Sequence, residues 1–287
     1  MAPEIETRIA ALRRRVADAR GSGLRVGCVP TMGALHAGHT ALFDHARADC
    51  DLLVATLFVN PLQFDRRDDL ESYPRDMGTD LRICGRHGVH ILFAPPVEEM
   101  YPRRPATYVE VEGLGSTLCG ASRPGHFRGV ATVVLKLLNI VQPHFACFGE
   151  KDYQQLAIIR RLVEDANMPV EIVGVPTVRE EDGVALSSRN ALLSAEQRDA
   201  APILVRTLRA ARNAIEANEF DARGLCRRAQ DLFRRNPHVR LDYFEIVDPN
   251  TLQPVERIEH PVRIAVAAFF GPIRLIDNLA ASPPKAR

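Results

Sequence analysis

Short apolar runs alternate with stretches of helical periodicity through the first half of the chain. The run 25–30 (RVGCVP) is β-like, and 38–50 has helical spacing. Residues 52–60 (LLVATLFVN) form a continuous apolar run of the kind found in a strand buried on both faces. A helical stretch at 81–88 ends in Gly88, and a strand-like run at 89–95 stops at Pro95 and Pro96. Residues 129–143 and 154–168 read as helices, and 144–150 and 170–176 as strands. Strands separated by helices imply right-handed βαβ units and a parallel sheet. At the amino terminus, Ile5, Ile9, Leu12 and Val16 recur at helical spacing with charges between them. This predicts an amphipathic helix over 1–20 rather than the unbroken apolar core of a signal peptide. Beyond about residue 177 the texture changes. Residues 180–193 are polar and loop-like, 195–218 and 222–236 are amphipathic helices, and 241–249, 262–270 and 273–279 are short strands. The pattern predicts an α/β protein with a parallel-sheet domain over 1–177 and a smaller α+β domain over 178–287. Low complexity is confined to the tail 281–287.

Composition narrows the possibilities. A length of 287 residues fits about two domains. With 37 basic and 36 acidic side chains the formal net charge is +1, which argues against holding nucleic acid by bulk charge but allows a local anion pocket. The six cysteines, at 28, 50, 84, 119, 147 and 226, form no C-x-x-C pair, so structural zinc is not indicated. Cys28 and Cys147 sit in apolar runs and read as buried packing residues. Scattered thiols of this kind fit a reducing, cytoplasmic setting. The longest apolar stretches, 130–141 and 264–273, are interrupted by Lys136 or too short to span a bilayer, so no membrane segment is expected.

Five segments carry candidate chemistry. The first, Pro30 to His39 (PTMGALHAGH), follows the first strand of the alternating pattern and opens a helix. A loop and helix start at the carboxyl end of a parallel strand form a ready anion site. His36 and His39, three apart, face one side of a helical turn and are suited to phosphate oxygens and developing charge. In the second segment, 58–64 (FVNPLQF), Asn60 and Gln63 supply amides that both donate and accept. The third, 122–129 (SRPGHFRG), places Arg123 and His126 where they can hold a carboxylate, or simply form a solvated basic turn. In the fourth, 148–155 (FGEKDYQQ), Lys151 suits a phosphate and Asp152 suits Mg²⁺ or a helix cap. The fifth, 184–190 (VALSSRN), offers hydroxyls and a guanidinium for a polyphosphate, or a mobile surface loop.

The H-x-G-H turn resembles that of the nucleotidyltransferase superfamily, which includes class I aminoacyl-tRNA synthetases and small-molecule adenylyltransferases. The longer string 30–39, with 58–64, 72–76 (SYPRD), 122–137, 148–156, 175–190 and 275–278 (LIDN) in the same order, is similar to the pantoate–β-alanine ligase family along nearly the whole chain. The resemblance implies a Rossmann-like first domain, a second domain acting as a lid, and a homodimer. It implies an ATP- and Mg²⁺-dependent ligase that joins (R)-pantoate and β-alanine through pantoyl-adenylate. On the same basis Met32, Gly33, Ala34, Leu35, His36, Ala37, Gly38, His39, Gly149, Glu150, Lys151, Asp152, Val178, Leu186, Ser187, Ser188 and Arg189 would contact ATP. His36, His39, Lys151, Ser187, Ser188 and Arg189 would carry the chemistry, and Asp152 would help hold the metal. Gln63 and Gln155 would fix pantoate, with Asn60 in support and Arg123 and His126 on the β-alanine side. Leu186 stands where the family usually has Met, a change that keeps an apolar wall.

Other motifs are missing. There is no G-x-x-x-x-G-K-[ST] loop, no G-x-G-x-x-G after the first of these strands and no G-x-S-x-G elbow. Two rival readings remain. One is another H-x-G-H adenylyltransferase, which would keep the nucleotide on its product. The other is a non-catalytic nucleotide-binding module, which would be expected to lack the Lys151/Asp152 or Ser188/Arg189 groups.

Overall fold

A computed structural model describes residues 2–64, 70, 71 and 73–284. Met1, Ser72 and residues 285–287, on which the amino-terminal, 72–76 and tail readings partly fall, lie outside the described residues. Six strands, β1 (Glu4–Glu6), β2 (Val26–Thr31), β3 (Leu52–Leu57), β4 (Ile91–Phe93), β5 (Phe145–Gly149) and β6 (Glu171–Val175), make one sheet in the order β1-β4-β3-β2-β5-β6. Every pairing is parallel. The crossovers include α1 (Ile9–Gly21), α2 (Ala37–Arg47), α3 (Met77–Arg86), α4 (His126–Val141) and α5 (Tyr153–Asp165). A parallel sheet is covered on both faces, which is why β2 and β3 are almost wholly apolar and buried. Val29, Phe43, Leu53, Ala55, Leu92, Phe145 and Cys147 share one core. Cys28 and Cys147 are fully buried, and burial pushes the Cys147 thiol up to about 12. All six cysteines are free.

The chain leaves β2 for β3 and β4 on one side and reaches β5 and β6 on the other. The order therefore reverses between β2 and β5, and in an open parallel sheet ligands gather at the carboxyl ends of the strands flanking that reversal. Here those ends are Thr31 and Gly149.

A three-stranded antiparallel sheet, β7 (Arg240–Val247), β8 (Val262–Phe270) and β9 (Ile273–Ala281), carries α6 (Ile203–Glu216) and α7 (Ala222–Arg234). Leu208, Phe233, Phe244, Ile264, Val266 and Phe270 belong to its core. The two compact units do not follow one cut in the chain. The first comprises Met1–Gly115, Arg123–Glu150 and Ile158–Pro176; the second takes Thr177–Arg287 together with Ser116–Ser122 and Lys151–Ala157. The expected boundary near 177 thus leaves out two short segments that side chains tie to the second unit. Cys119 Sγ lies 3.2 Å from the Tyr243 hydroxyl, and the Tyr153 hydroxyl donates to the Pro249 carbonyl at 3.1 Å, while buried Gln154 joins the two segments by accepting from the Cys119 amide (3.0 Å) and donating to the Thr117 carbonyl (2.7 Å).

Two expected elements differ. The amino-terminal helix begins at Ile9, because Glu4–Glu6 pairs with β4 as an edge strand. Ile5, counted in the apolar stripe, is 46% exposed, whereas Leu12 and Val16 are buried. The segment 195–218 is two helices, Ala195–Ala200 and α6, broken around Pro202, which has no N–H to continue the ladder.

Two histidines in the first unit serve the sheet. His90 Nδ1 accepts from the Leu53 amide and His144 Nδ1 from the Val26 amide, each at 2.9 Å. Both pKa values lie below the ordinary 6.5, through burial first and then neighbouring arginines. The unfolded chain therefore binds more protons in acid, so the stability they contribute is complete above the ordinary histidine range and is lost as pH falls through it. Urea midpoints measured from about pH 7 to about pH 5 should fall, and the double variant His90→Asn/His144→Asn should show a shallower fall.

Candidate active site

The loop after β2 turns its amides inward. Gly33 donates to Thr31 Oγ1 (3.3 Å), Ala34 to Asp80 Oδ2 (3.1 Å) and Leu35 to Asp80 Oδ1 (2.9 Å). Asp80, on α3, is only 2% exposed. Gly33 has φ +84°, and a Cβ there would lie 2.9 Å from Asp80 Oδ2, so the turn requires glycine twice over. Ala34 follows with φ +52°. The amides of 33–35 are therefore engaged within the protein.

The imidazoles cap the helix that follows. His36 is the N-cap of α2: its Nδ1 accepts from the Gly38 amide (3.1 Å), and His39 Nδ1 accepts from the His36 amide (3.2 Å). This is a capping box built from two histidines. A ring nitrogen that accepts from a backbone N–H carries no proton, so in both neutral rings the proton sits on Nε2. The ring centroids lie 4.2 Å apart. The expected functional pair is thus also structural, and the cap sets the tautomer of each ring.

β3 stops at Leu57, short of the expected residue 60, and the chain turns through Pro61–Gln63. Asn60 is 1% exposed and makes this turn: Oδ1 accepts from the Leu62 amide (3.3 Å) and the Tyr101 hydroxyl (2.9 Å), while Nδ2 donates to Gly129 O and Gln63 Oε1 (both 3.1 Å). A Cβ at Gly129 would fall 2.2 Å from Leu62 O, so only glycine lets α4 approach this closely. Gln63 Nε2 donates to Met32 Sδ at 3.0 Å, linking the amide pair to the histidine loop. Thioether sulfur is a weak acceptor, which a ligand oxygen would readily replace. His126 Nδ1 donates to Gln63 O (2.8 Å), and Arg123 pairs with His126 Nε2 (3.1 Å) and reaches Gln63 O (3.4 Å). Arg123 and His126 thus brace the Gln63 backbone.

Gly149 ends β5 in the first unit, and the turn Glu150–Asp152 leads directly into α5. The other candidates, Lys151, Asp152 and those in Val178–Arg189, belong to the second unit. Lys151 Nζ donates to Leu186 O at 3.0 Å. Burial, and secondarily the Arg189 charge, holds its ammonium below the usual lysine range, opposed by Asp152 and Asp277. Asp152 is exposed and Gln155 half-buried. Leu186 N–H donates to Val178 O (2.9 Å), and Arg179 and Ala185 form an antiparallel bridge. Ser187 Oγ accepts from the Arg189 amide (3.3 Å), and Ser188 and Arg189 are exposed. Asn190 Nδ2 donates to Glu180 Oε1 (2.6 Å) and Ala185 O (3.2 Å), and Arg198 pairs with Glu180 and Asp182. These bonds brace the base of the segment.

Sequence reasoning missed Asp80, Tyr101, Arg179 and Asp277. A signal existed for the first: Asp80 shares a helical face with Ile83 and Cys84, both buried, so a carboxylate stands on an apolar stripe.

An open parallel sheet with an H-x-G-H turn at its switch point and a buried amide pair beside it is the arrangement of an α/β enzyme of the nucleotidyl-transfer class. The comparisons specify which. Residues 4–280 match the family model "Pantoate-beta-alanine ligase", and the chain belongs to that family. It is 52% identical to the pantothenate synthetase of Syntrophotalea carbinolica over 94% of this chain and 95% of that protein. It is 50% identical to pantothenate synthetase 1 of Bradyrhizobium diazoefficiens, over 97% and 98% respectively. It is similar to the crystal structure of pantothenate synthetase from Thermus thermophilus, with TM-score 0.89 and 48% identity over 98% of this chain and 100% of that one. It also resembles pantoate-beta-alanine ligase from Francisella tularensis complexed with beta-gamma ATP and beta-alanine, with TM-score 0.76 and 33% identity over 97% of each chain. No described helix is long and apolar enough to cross a membrane.

Asp80→Ala should leave two amides without an acceptor, at about 1–3 kcal/mol each. The measured outcomes are a lowered unfolding free energy and faster hydrogen exchange at Ala34 and Leu35. Exchange as slow as in the parent protein would contradict the role given to this carboxylate.

Proposed function

We propose that the chain joins (R)-pantoate to β-alanine at the expense of ATP, giving pantothenate, AMP and pyrophosphate. In the first half-reaction a pantoate carboxylate oxygen attacks the α-phosphorus of ATP and the bond to pyrophosphate breaks. In the second, the neutral amine of β-alanine attacks the acyl carbon of pantoyl-adenylate, AMP leaves and the amine gives up a proton. The observation that carries this reading is the pair of capped imidazoles at the carboxyl end of β2, each with its proton on Nε2, linked through Met32 to the Asn60–Gln63 amides. Two fixed N–H donors suit charge that grows on phosphate oxygens during transfer. The Gln63 amide, resting on a thioether, suits the oxygens of pantoate, with Asn60 shaping the turn and Arg123 and His126 setting the backbone. Lys151, Ser187, Ser188 and Arg189 supply cationic and hydroxyl groups for the triphosphate. Gln155 joins in holding pantoate. No protein nucleophile is needed, so catalysis rests on positioning and charge stabilisation.

Mg²⁺ would accompany ATP. Among the described residues no group of three or more His, Cys, Asp or Glu is gathered to hold a metal. A single exposed carboxylate, Asp152, fits an ion that keeps several waters and is otherwise bound by substrate phosphates. When bound, the ion offsets phosphate charge. The scattered free thiols favour a cytoplasmic setting, and the family resemblance favours a homodimer.

Product analysis with each component omitted in turn tests the reaction. Pyrophosphate should form from ATP and pantoate alone, and AMP with pantothenate only when β-alanine is added. A product that retains the nucleotide would indicate an adenylyltransferase instead. His36→Asn and His39→Asn should keep a capping acceptor but lose the Nε2 donor. Pyrophosphate release should slow on the order of 10²- to 10³-fold with little change in stability. Near-parental rates in both variants would remove the imidazoles from the mechanism.

A further inference from the structure

β9 contains Leu275-Ile276-Asp277-Asn278, two apolar residues followed by two polar ones. Asp277 is buried at 3% exposure and Asn278 at 5%. Arg179 grips Asp277 bidentately, Nη1 to Oδ2 at 2.7 Å and Nη2 to Oδ1 at 2.9 Å, and Nη1 also donates to Gly183 O at 2.9 Å. Asp277 Oδ1 accepts the Asn278 amide at 2.7 Å. Asn278 Nδ2 donates to the Lys151 carbonyl at 2.9 Å, while its Oδ1 accepts from Arg263 at 3.0 Å.

We propose that Asp277 and Asn278 are positioning residues that hold Lys151 and the Val178–Arg189 segment in one frame, so that both meet the ATP phosphates already aligned. This rests on the reading that these groups act on ATP. The bonds form a closed circuit within the second unit. It runs from Asn278 to the Lys151 main chain, from the Lys151 ammonium to Leu186 O, from the Leu186 amide to Val178 O, and from neighbouring Arg179 back to Asp277. The ammonium rests on a neutral carbonyl, an acceptor that a phosphate oxygen outcompetes because the bond becomes charge-assisted. Its backbone stays pinned while its side chain changes partner. A buried ion pair seldom adds net stability over apolar residues of like volume, but it fixes direction, since the guanidinium fork meets the carboxylate in one plane.

The test separates the half-reactions. Asp277→Asn and Asn278→Ala are assayed for pantoate-dependent pyrophosphate release from ATP and, separately, for β-alanine capture of supplied pantoyl-adenylate. Release should slow by about 10- to 100-fold with the KM for pantoate unchanged, because sub-ångström misplacement of charge stabilisers acts on the transition state. Capture should stay within about twofold of the parent. Equal losses in both half-reactions, or unchanged release, would overturn the proposal. If Asp277→Asn does not fold, Asn278→Ala, which deletes the bond to Lys151 O without touching the ion pair, carries the same comparison. Failure of the parent protein to release pyrophosphate with pantoate would instead overturn the underlying ligase reading.

Discussion

The inward turn of the backbone after β2 is the constraint on which the first unit depends. Amides 33–35 donate to Thr31 and Asp80, and the amides of His36 and Gly38 donate to imidazole Nδ1 atoms. These donors are spent within the loop. The same hydrogen bonds set the protonation of the two imidazoles, with the proton of each on Nε2. A structural device, the capping of α2, thereby determines a chemical one.

The neighbouring turn follows the same logic. Asn60 is consumed in shaping Pro61–Gln63, and Gly129 removes the side chain that would keep α4 away. What remains exchangeable is the weak bond from Gln63 to the Met32 sulfur. Polar residues thus divide into those fully spent on geometry and those resting on a single weak or neutral acceptor. Lys151, donating to the Leu186 carbonyl in the second unit, belongs to the latter group.

Each unit uses a buried carboxylate to fix a loop: Asp80 through two backbone amides in the first, Asp277 through a guanidinium fork in the second. Buried carboxylates are costly without full partnership. Both are satisfied by groups of the loops they hold, so a displaced loop would orphan a charge. That penalty makes the two loop conformations sharply defined.

Sequence alone determined the alternation of strands and helices, the parallel sheet, the short strands of the second domain and the H-x-G-H junction. These depend on local periodicity, on runs that must be buried and on motifs contiguous in the chain. It also marked Asn60, Gln63, Lys151 and Ser187–Arg189 as polar groups worth chemistry. It misread Glu4–Glu6 as helix because pairing with β4, Glu4 against Ile91, is a contact across 87 residues that no local pattern records, and it ran one helix through Pro202. The partners that orient the candidate residues were decided by tertiary structure. Asp80 stands 45 residues from the amide it holds at Leu35, and Asp277 stands 98 from Arg179. Hydrogen bonds between distant segments leave no periodicity in the chain, so which polar groups are spent on geometry became visible only in the fold.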